Sequence, residues 1–212
     1  MGRARKVVLA FTVLMLLAGM ATLSSHSVAA EPKFKVGFIY IGPVGDAGWT
    51  LAHDEGRRFM EKQLPWVDSV FIESVPETSE AERMMTQLAR QGCQIIFATS
   101  FGYMDYVQNV AKNFPNVRFE HCSGFKRDTA NVSTYFGRMY EPRFLSGMAA
   151  GMMTKSNVLG YVAAFPIPEV VRGINAFARG VRLVNPNAKV KVVWTNTWYD
   201  PATFTLALEL TS

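Results

Sequence analysis

The residues best able to do chemistry are aromatic side chains in the short loops that follow predicted strands. Aromatic rings stack on flat ligands, and a few nearby polar groups then fix the orientation of the ligand. One carboxylate, Asp46, lies in the first of these loops, shortly before Trp49. Several loop aromatics converging on one cleft indicate a stacking site for a flat ring. The aromatic candidates are Trp49, Phe101, Tyr103, Phe165, Trp198 and Tyr199.

The first of these loops belongs to a strand, turn and helix unit. An apolar run over 35–41 predicts a buried strand, and Gly42, Gly45 and Gly48 indicate the turn that follows. Ligands of parallel sheets gather at the carboxyl ends of the strands, which is where Asp46 and Trp49 lie. The helix is expected to bury one apolar face, made of Trp49, Ala52, Gly56, Phe59, Met60 and Leu64.

Strands and helices alternate along the rest of the chain. Strands are predicted at 67–75, 94–99, 117–122, 131–136, 158–163 and 189–194, and helices at 77–91, 104–113, 141–153, 168–185 and from 201 onward. Such alternation predicts an α/β fold of parallel sheets with right-handed crossovers. The series restarts near 155, and its second part has only two strands, too few for an independent sheet. We therefore expect two Rossmann-like lobes, the second truncated.

The amino-terminal segment is expected to be an export signal rather than part of the fold. Basic residues precede an apolar stretch over 7–20, and small residues up to Ala30 form a cleavage site. Its removal lowers the formal net charge from +5 to +2, and such a small positive charge does not indicate nucleic-acid binding. No cysteine lies close to the apolar stretch or its cleavage site, so no lipid anchor is expected. The expected division is 1–30 signal peptide, 31–139 first lobe, 140–156 crossover helix and hinge, and 157–212 incomplete second lobe.

The two cysteines, Cys93 and Cys122, are expected to be free although the protein is exported. Cys93 lies just before one predicted strand, and Cys122 lies at the end of the next. In neighbouring parallel strands they would be about 16 Å apart along the strand direction. That separation is far beyond disulfide reach. Both thiols are therefore expected to be free, and we expect both to be buried.

Other kinds of site are less well supported by the sequence. The glycine spacing 42-45-48 departs from the G-x-G-x-x-G nucleotide loop, and Asp46 would repel a phosphate. Asp46 could instead cap the following helix, and capping does not exclude ligand contact. The acidic and histidine run 53–55 is read as a solvated helix face rather than a metal site. No activated nucleophile is evident. We expect no cofactor, no metal and no enzymatic activity.

Four segments carry a resemblance to a known family. They are Asp46-Ala47-Gly48-Trp49-Thr50 after the first strand, the run 140–147, the run 173–180, and Trp198-Tyr199-Asp200-Pro201. Together with the export signal they resemble the BMP (basic membrane protein) group, the PnrA-like substrate-binding proteins of ABC transporters. The resemblance implies the type 1 periplasmic-binding-protein fold and a purine base or nucleoside bound between two aromatic rings, one from each lobe.

Residue by residue, the resemblance implies that Trp49 and Trp198 form the stacking pair and that Asp46 accepts hydrogen bonds from the base edge. It also brings Thr50, Ser123 and Asp200 into the candidate site. Two departures stand out: Trp49-Thr50 replaces the Phe-Asn of the family, and His121-Cys122-Ser123-Gly124 stands where nucleoside binders carry a carboxylate for the ribose. The missing carboxylate favours a free base such as adenine. Glu141 is expected at the hinge.

The sequence therefore predicts a periplasmic solute receptor of an ABC importer, which passes its ligand to a permease in the inner membrane. We expect a monomer that binds a small molecule and no nucleic acid. A sugar receptor of the same fold, which would also stack rings on its ligand, is the alternative. An exported hydrolase is a further alternative from another class.

Overall fold

The computed structural model describes residues 33–209, so the predicted signal peptide lies outside the described residues. Strands and helices alternate along this range, as the sequence predicts, except that the strands at 118–122 and 132–135 have no helix between them, and all strand pairs are parallel. Within 33–209, no helix combines the length and the apolar character needed to cross a membrane.

Strand and helix bounds agree with the predicted ones to within a few residues. The largest difference is at the second strand, which ends at Ile72 because Ser74 takes a left-handed conformation with φ of 57°. The strands are β1 Phe34–Ile39, β2 Val67–Ile72, β3 Ile95–Ala98, β4 Arg118–Cys122, β5 Val132–Tyr135, β6 Val158–Ala163 and β7 Lys189–Trp194. The helices are α1 Trp49–Gln63, α2 Ser79–Arg90, α3 Met104–Asn113, α4 Tyr140–Met153, α5 Pro168–Val184 and α6 Pro201–Glu209, with a 3-10 turn at Phe101–Tyr103.

The first lobe is built on a five-stranded sheet with the order β2-β1-β3-β4-β5. Phe38 in β1 pairs in register with Phe71 on one side and Phe97 on the other. The strand order reverses around β1, and this is the place where open parallel sheets bind ligands. The loops after β1, β3, β4 and β5 all leave from the same edge of the sheet.

One large core lies on the α2 and α3 side of this sheet. Ile39, Ile96 and Phe119 from the strands are fully buried against Met85 and Val107 from the helices. The thiols of Cys93 and Cys122 are both free and buried, which confirms the prediction from their spacing. Burial raises the pKa of Cys122 to about 12.

The predicted apolar face of helix α1 is only partly correct: Met60 and Leu64 pack against buried side chains of the sheet, but Ala52, Gly56 and Phe59 are exposed. Phe59 is 65% exposed, whereas Asp54 is only 1% exposed. Asp54 pairs with Arg57 at 2.7 Å and also with Arg58, so it is not part of a solvated face either. Arg57 in turn lies 4.7 Å over the ring of Phe71. The helix packs on the sheet through paired charges, which hydropathy alone does not reveal.

The second lobe contains the parallel pair β6 and β7, with helices α4 and α5 packed closely together. A Cβ on Gly147 would overlap the carbonyl oxygen of Phe177, and one on Gly180 would overlap that of Phe144. Only glycine allows backbones to approach so closely. The assignment of α4 as crossover and hinge stays a prediction.

Candidate ligand-binding cleft

A cavity of about 300 Å³ lies between the loops at the carboxyl ends of the strands in both lobes. From the first lobe its walls include Asp46, Trp49, Phe101, Ser123 and Phe136, and from the second they include Tyr161, Glu169, Trp198 and Tyr199. Its volume falls at the small end of the range for ligand pockets, about 300–1,000 Å³. Six of the ten predicted candidates therefore line one cavity: Asp46, Trp49, Phe101, Ser123, Trp198 and Tyr199.

Trp49 is held in place by its own lobe. Its indole Nε1 donates to the carbonyl oxygen of Thr99 at 2.7 Å, and the hydroxyl of Thr99 donates to the carbonyl of Ile39. The imidazole of His53 lies against the indole with ring centroids 4.7 Å apart. The ring remains 37% exposed. Trp49 is thus an oriented, accessible aromatic surface at the end of β1.

Asp46 caps helix α1, which confirms the capping alternative. One carboxylate oxygen accepts from the backbone N–H groups of Gly48 and Leu51, at 2.9 and 3.0 Å, and the other accepts from that of Thr50 at 2.7 Å. Burial opposes the charge, but these N–H groups outweigh it and hold the pKa of Asp46 below its usual value. Asp46 therefore brings a stable negative charge to the cavity wall.

Trp198 approaches the cavity from the second lobe. Its indole Nε1 donates to a carboxylate oxygen of Glu77 in the first lobe at 3.1 Å. The ring of Phe165 lies behind it, with centroids 5.0 Å apart, and lines a neighbouring hollow rather than the main cavity. Trp198 is therefore oriented by groups from both lobes.

Three further predicted residues lie outside the cavity wall. Thr50 is buried beside the Asp46 carboxylate, with its hydroxyl unpaired within the described part of the chain. Tyr103 is fully buried in the core and donates its hydroxyl to the carbonyl of Val75 at 2.5 Å. Asp200 caps helix α6 and accepts from Thr203. A role for these three in binding stays a prediction, as it does for the residues that line the cavity.

Ser123 makes a contact between the lobes. It follows β4 with φ of 78°, a left-handed conformation that is uncommon for a residue with a Cβ. Its hydroxyl donates to the carboxylate of Glu169 at the start of α5. The preceding His121 is buried, and its Nε2 hydrogen bonds to the carbonyl of Ser100 at 2.7 Å. Burial is the main reason that the pKa of His121 is lowered.

The cleft presents charged and aromatic side chains from both lobes. Residues 33–209 contain no group of three or more histidine, cysteine, aspartate and glutamate side chains that could hold a metal ion. Within the described part of the chain, the cavity wall carries two carboxylates, Asp46 and Glu169, one guanidinium, Arg143, and aromatic rings from both lobes. The sequence of the chain matches that of the Bmp family, described as ABC transporter substrate-binding protein PnrA-like, over residues 33–210.

The chain belongs to the Bmp family.

Relatives of known name agree with this membership. A purine-binding protein of Brucella abortus is 50% identical over 81% of this chain and 49% of its own length. An ABC transporter protein of Haloferax volcanii, named as glucose-binding, is 48% identical over 78% of this chain and 42% of its own length. An ABC solute-binding protein of Aeropyrum pernix superposes with a TM-score of 0.74 at 21% identity, over 84% of this chain and 51% of its own. The chain spans about half the length of each of these three proteins.

Sequence reasoning missed three charged groups around this Bmp-family cleft. Glu169 and Arg143 line the cavity, and Glu77 holds Trp198 from the first lobe. For Glu169 a signal exists: it follows Pro168 at the start of a helix, directly after the loop of a strand. Arg143 lies within the segment 140–147 that carries the family resemblance, but nothing in that segment indicates which side chain faces the cleft. Glu77 has no local signal.

Proposed function

We propose that this protein captures a purine base in the cleft between its lobes and delivers it to the permease of an ABC importer. The observation that carries the proposal is the pair of tryptophans at one cavity, Trp49 from the first lobe and Trp198 from the second. Stacking supplies much of the affinity for a flat ring, while Asp46 and Glu169 accept hydrogen bonds from its N–H groups. The name of the Brucella relative supports a purine.

A free base such as adenine is the favoured ligand over its nucleoside. At the end of β4 the chain offers His121, which is buried and already bonded to Ser100, in place of a carboxylate for a ribose. Glu169 is the one carboxylate from the second lobe on the cavity wall among residues 33–209, and we assign it to the base rather than to a sugar.

A sugar is the second candidate ligand, because the Haloferax relative is named as glucose-binding. Sugar sites also use aromatic rings, but they surround the many hydroxyl groups of the ligand with charged and amide side chains. This cavity wall carries three charged side chains, Asp46, Arg143 and Glu169, within the part of the chain that the structure describes. That polar complement fits the edge of one base better than a ring of hydroxyls.

The test is a titration of the purified protein with adenine, adenosine, guanine, glucose and ribose, in which binding is measured by tryptophan fluorescence and by calorimetry. Saturable binding of adenine, weakened about 5- to 150-fold in Trp49→Ala, is the expected result, since one aromatic stack on a base contributes about 1–3 kcal/mol. The matched control is Trp66→Ala, because Trp66 is 57% exposed and lies outside the cleft. Binding of glucose alone would establish the sugar receptor, and adenosine binding far tighter than adenine would overturn the preference for the free base.

The remaining parts of the proposal follow from the role of a receptor. It works as an exported monomer in the periplasm, and it returns its ligand unchanged. Chromatography of adenine or adenosine after long incubation checks the last point, since a hydrolase would convert the nucleoside into base and ribose. Light scattering of the purified protein checks the monomer.

A further inference from the structure

Glu77 collects three hydrogen-bond donors at the boundary between the lobes. One carboxylate oxygen accepts from the hydroxyl of Ser100 at 2.5 Å and from the backbone N–H of Gly102 at 2.8 Å. The other accepts from the indole N–H of Trp198 at 3.1 Å. The first two donors belong to the same lobe as Glu77, and the third belongs to the opposite lobe.

The contacts within the first lobe fix the Glu77 carboxylate independently of the second lobe. A Cβ on Gly102 would lie 2.6 and 2.7 Å from its two oxygens, so the carboxylate fits only because residue 102 is glycine. The segment it bonds to is anchored in turn, because the buried hydroxyl of Tyr103 donates to the carbonyl of Val75. The acceptor for Trp198 is therefore already in position on the first lobe.

The two cleft tryptophans differ in what holds them. Trp49 donates its indole N–H to Thr99 of its own lobe, so its orientation is independent of lobe closure. Trp198 donates its N–H across the boundary, so that bond exists only when the lobes are together. The second stacking ring is thus oriented by closure itself.

We propose that Glu77 is a positioning residue for ligand capture, which receives the indole N–H of Trp198 on closure and so fixes the plane of the second stacking ring. Glu77 does not itself line the cavity. The inference rests on the proposed function, in which the lobes close over a stacked ligand. A glutamine side chain accepts hydrogen bonds only through its one carbonyl oxygen and alanine has no acceptor, so neither replaces the two oxygens of Glu77.

The test is a double-mutant cycle of Glu77→Gln with Trp198→Phe in adenine binding. The glutamine amide turns an N–H toward either Trp198 or Gly102, and phenylalanine keeps an aromatic ring but has no N–H. Each single variant should weaken adenine binding about tenfold or more, mainly through faster dissociation, because a hydrogen bond to a charged acceptor is lost. In the Trp198→Phe background, Glu77→Gln should cause little further loss.

The control is Glu82→Gln, which removes the same charge from helix α2, where Glu82 contacts Asn109 rather than the cleft. It should bind adenine like the wild type. Independent, multiplying losses in the double variant would overturn the inference, because Glu77 would then act on the fold and not through Trp198. Unchanged binding in Glu77→Gln would overturn it as well.

A measurement without ligand separates this inference from the proposed function. Spin labels at Lys112→Cys and Arg182→Cys, both exposed and one on each lobe, report the distance between the lobes. Glu77→Gln should broaden that distance distribution, and Glu82→Gln should not. If the wild type binds no purine, the proposed ligand is wrong, and the label distances alone decide: broadening supports the inference and an unchanged distribution overturns it.

Discussion

The two lobes are stabilised in different ways. The two extended clusters of buried apolar side chains belong to the first lobe, where helices cover its five-stranded sheet. In the described part of the second lobe, the buried apolar residues are Ala163, Val181 and Ala188, and its helices expose Leu145, Met152, Met153 and Leu183. The second lobe depends on close contact of backbones between α4 and α5. The difference implies that the Trp49 side of the cleft is preformed and that the Trp198 side is more easily displaced.

Removal of a buried aromatic ring from the first lobe should have the largest effect on the stability of the protein. Phe119 is fully buried between the sheet and its covering helices, so Phe119→Ala should lower the free energy of unfolding by about 3–5 kcal/mol. Val181→Ala, the fully buried counterpart in the second lobe, should cost less because it leaves a smaller cavity. Urea denaturation compares the two. Equal losses would show that both lobes depend on a side-chain core of similar quality.

Separation of the helix pair should weaken the second lobe selectively. Gly180→Ala places a Cβ against the carbonyl of Phe144 and should cost about 1–3 kcal/mol through overpacking. The matched control is Gly56→Ala in helix α1, where a Cβ meets nothing within 4 Å. That change should stabilise the protein by about 0.5–1 kcal/mol. Amide hydrogen exchange should show faster exchange in α4 and α5 for Gly180→Ala, while β1 and β3 keep their protection. Equal acceleration in both lobes would contradict the contrast.

Loss of the Asp46 cap should loosen the preformed side of the cleft. Asp46→Ala leaves three backbone N–H groups at the start of α1 without their acceptor and should cost about 0.5–2 kcal/mol. The amides of Thr50 and Leu51 should exchange faster. Asp200→Ala, which removes the cap of α6 in the second lobe, is the comparison. It should leave those first-lobe amides unchanged, and a change there would mean that the two caps are coupled through the cleft.

The contrast between the lobes also explains which features of the fold could be predicted. Alternating apolar runs and turn residues predict every described strand and helix, because those signals are local. The buried face of α1 could not be predicted in this way. The charges of Asp54 and Arg57 neutralise each other on the buried side of the helix. Phe59, by contrast, is exposed although its hydropathy is that of a core residue. A pattern of side-chain polarity cannot show that two buried charges are paired.

The sequence predicts which loops form the cleft but not the contacts between the side chains of those loops. Trp49 and Trp198 each follow the carboxyl end of a parallel strand, where the ligands of such sheets bind, and that placement follows from a general rule. Glu77 lies 121 residues from Trp198 in sequence, and Ser123 contacts Glu169 across the boundary. Such pairs depend on how two lobes face each other, and no local pattern contains that information.

Acidification should lower the stability of the first lobe more than that of the second, by a smaller amount than the changes above. The reason is that the histidines of the described chain, His53 and His121, lie in the first lobe. Burial lowers the pKa of His121 below its usual 6.5, so between these two values the unfolded chain binds a proton that the native protein does not. Stability must then fall as pH drops through about 6.5, and a fall in urea midpoint from pH 7.5 to 5.5 is expected. His121→Gln should flatten this dependence more than His53→Gln, whose imidazole is less buried. An unchanged slope in His121→Gln would show that the imidazole of His121 is not held neutral by the first lobe.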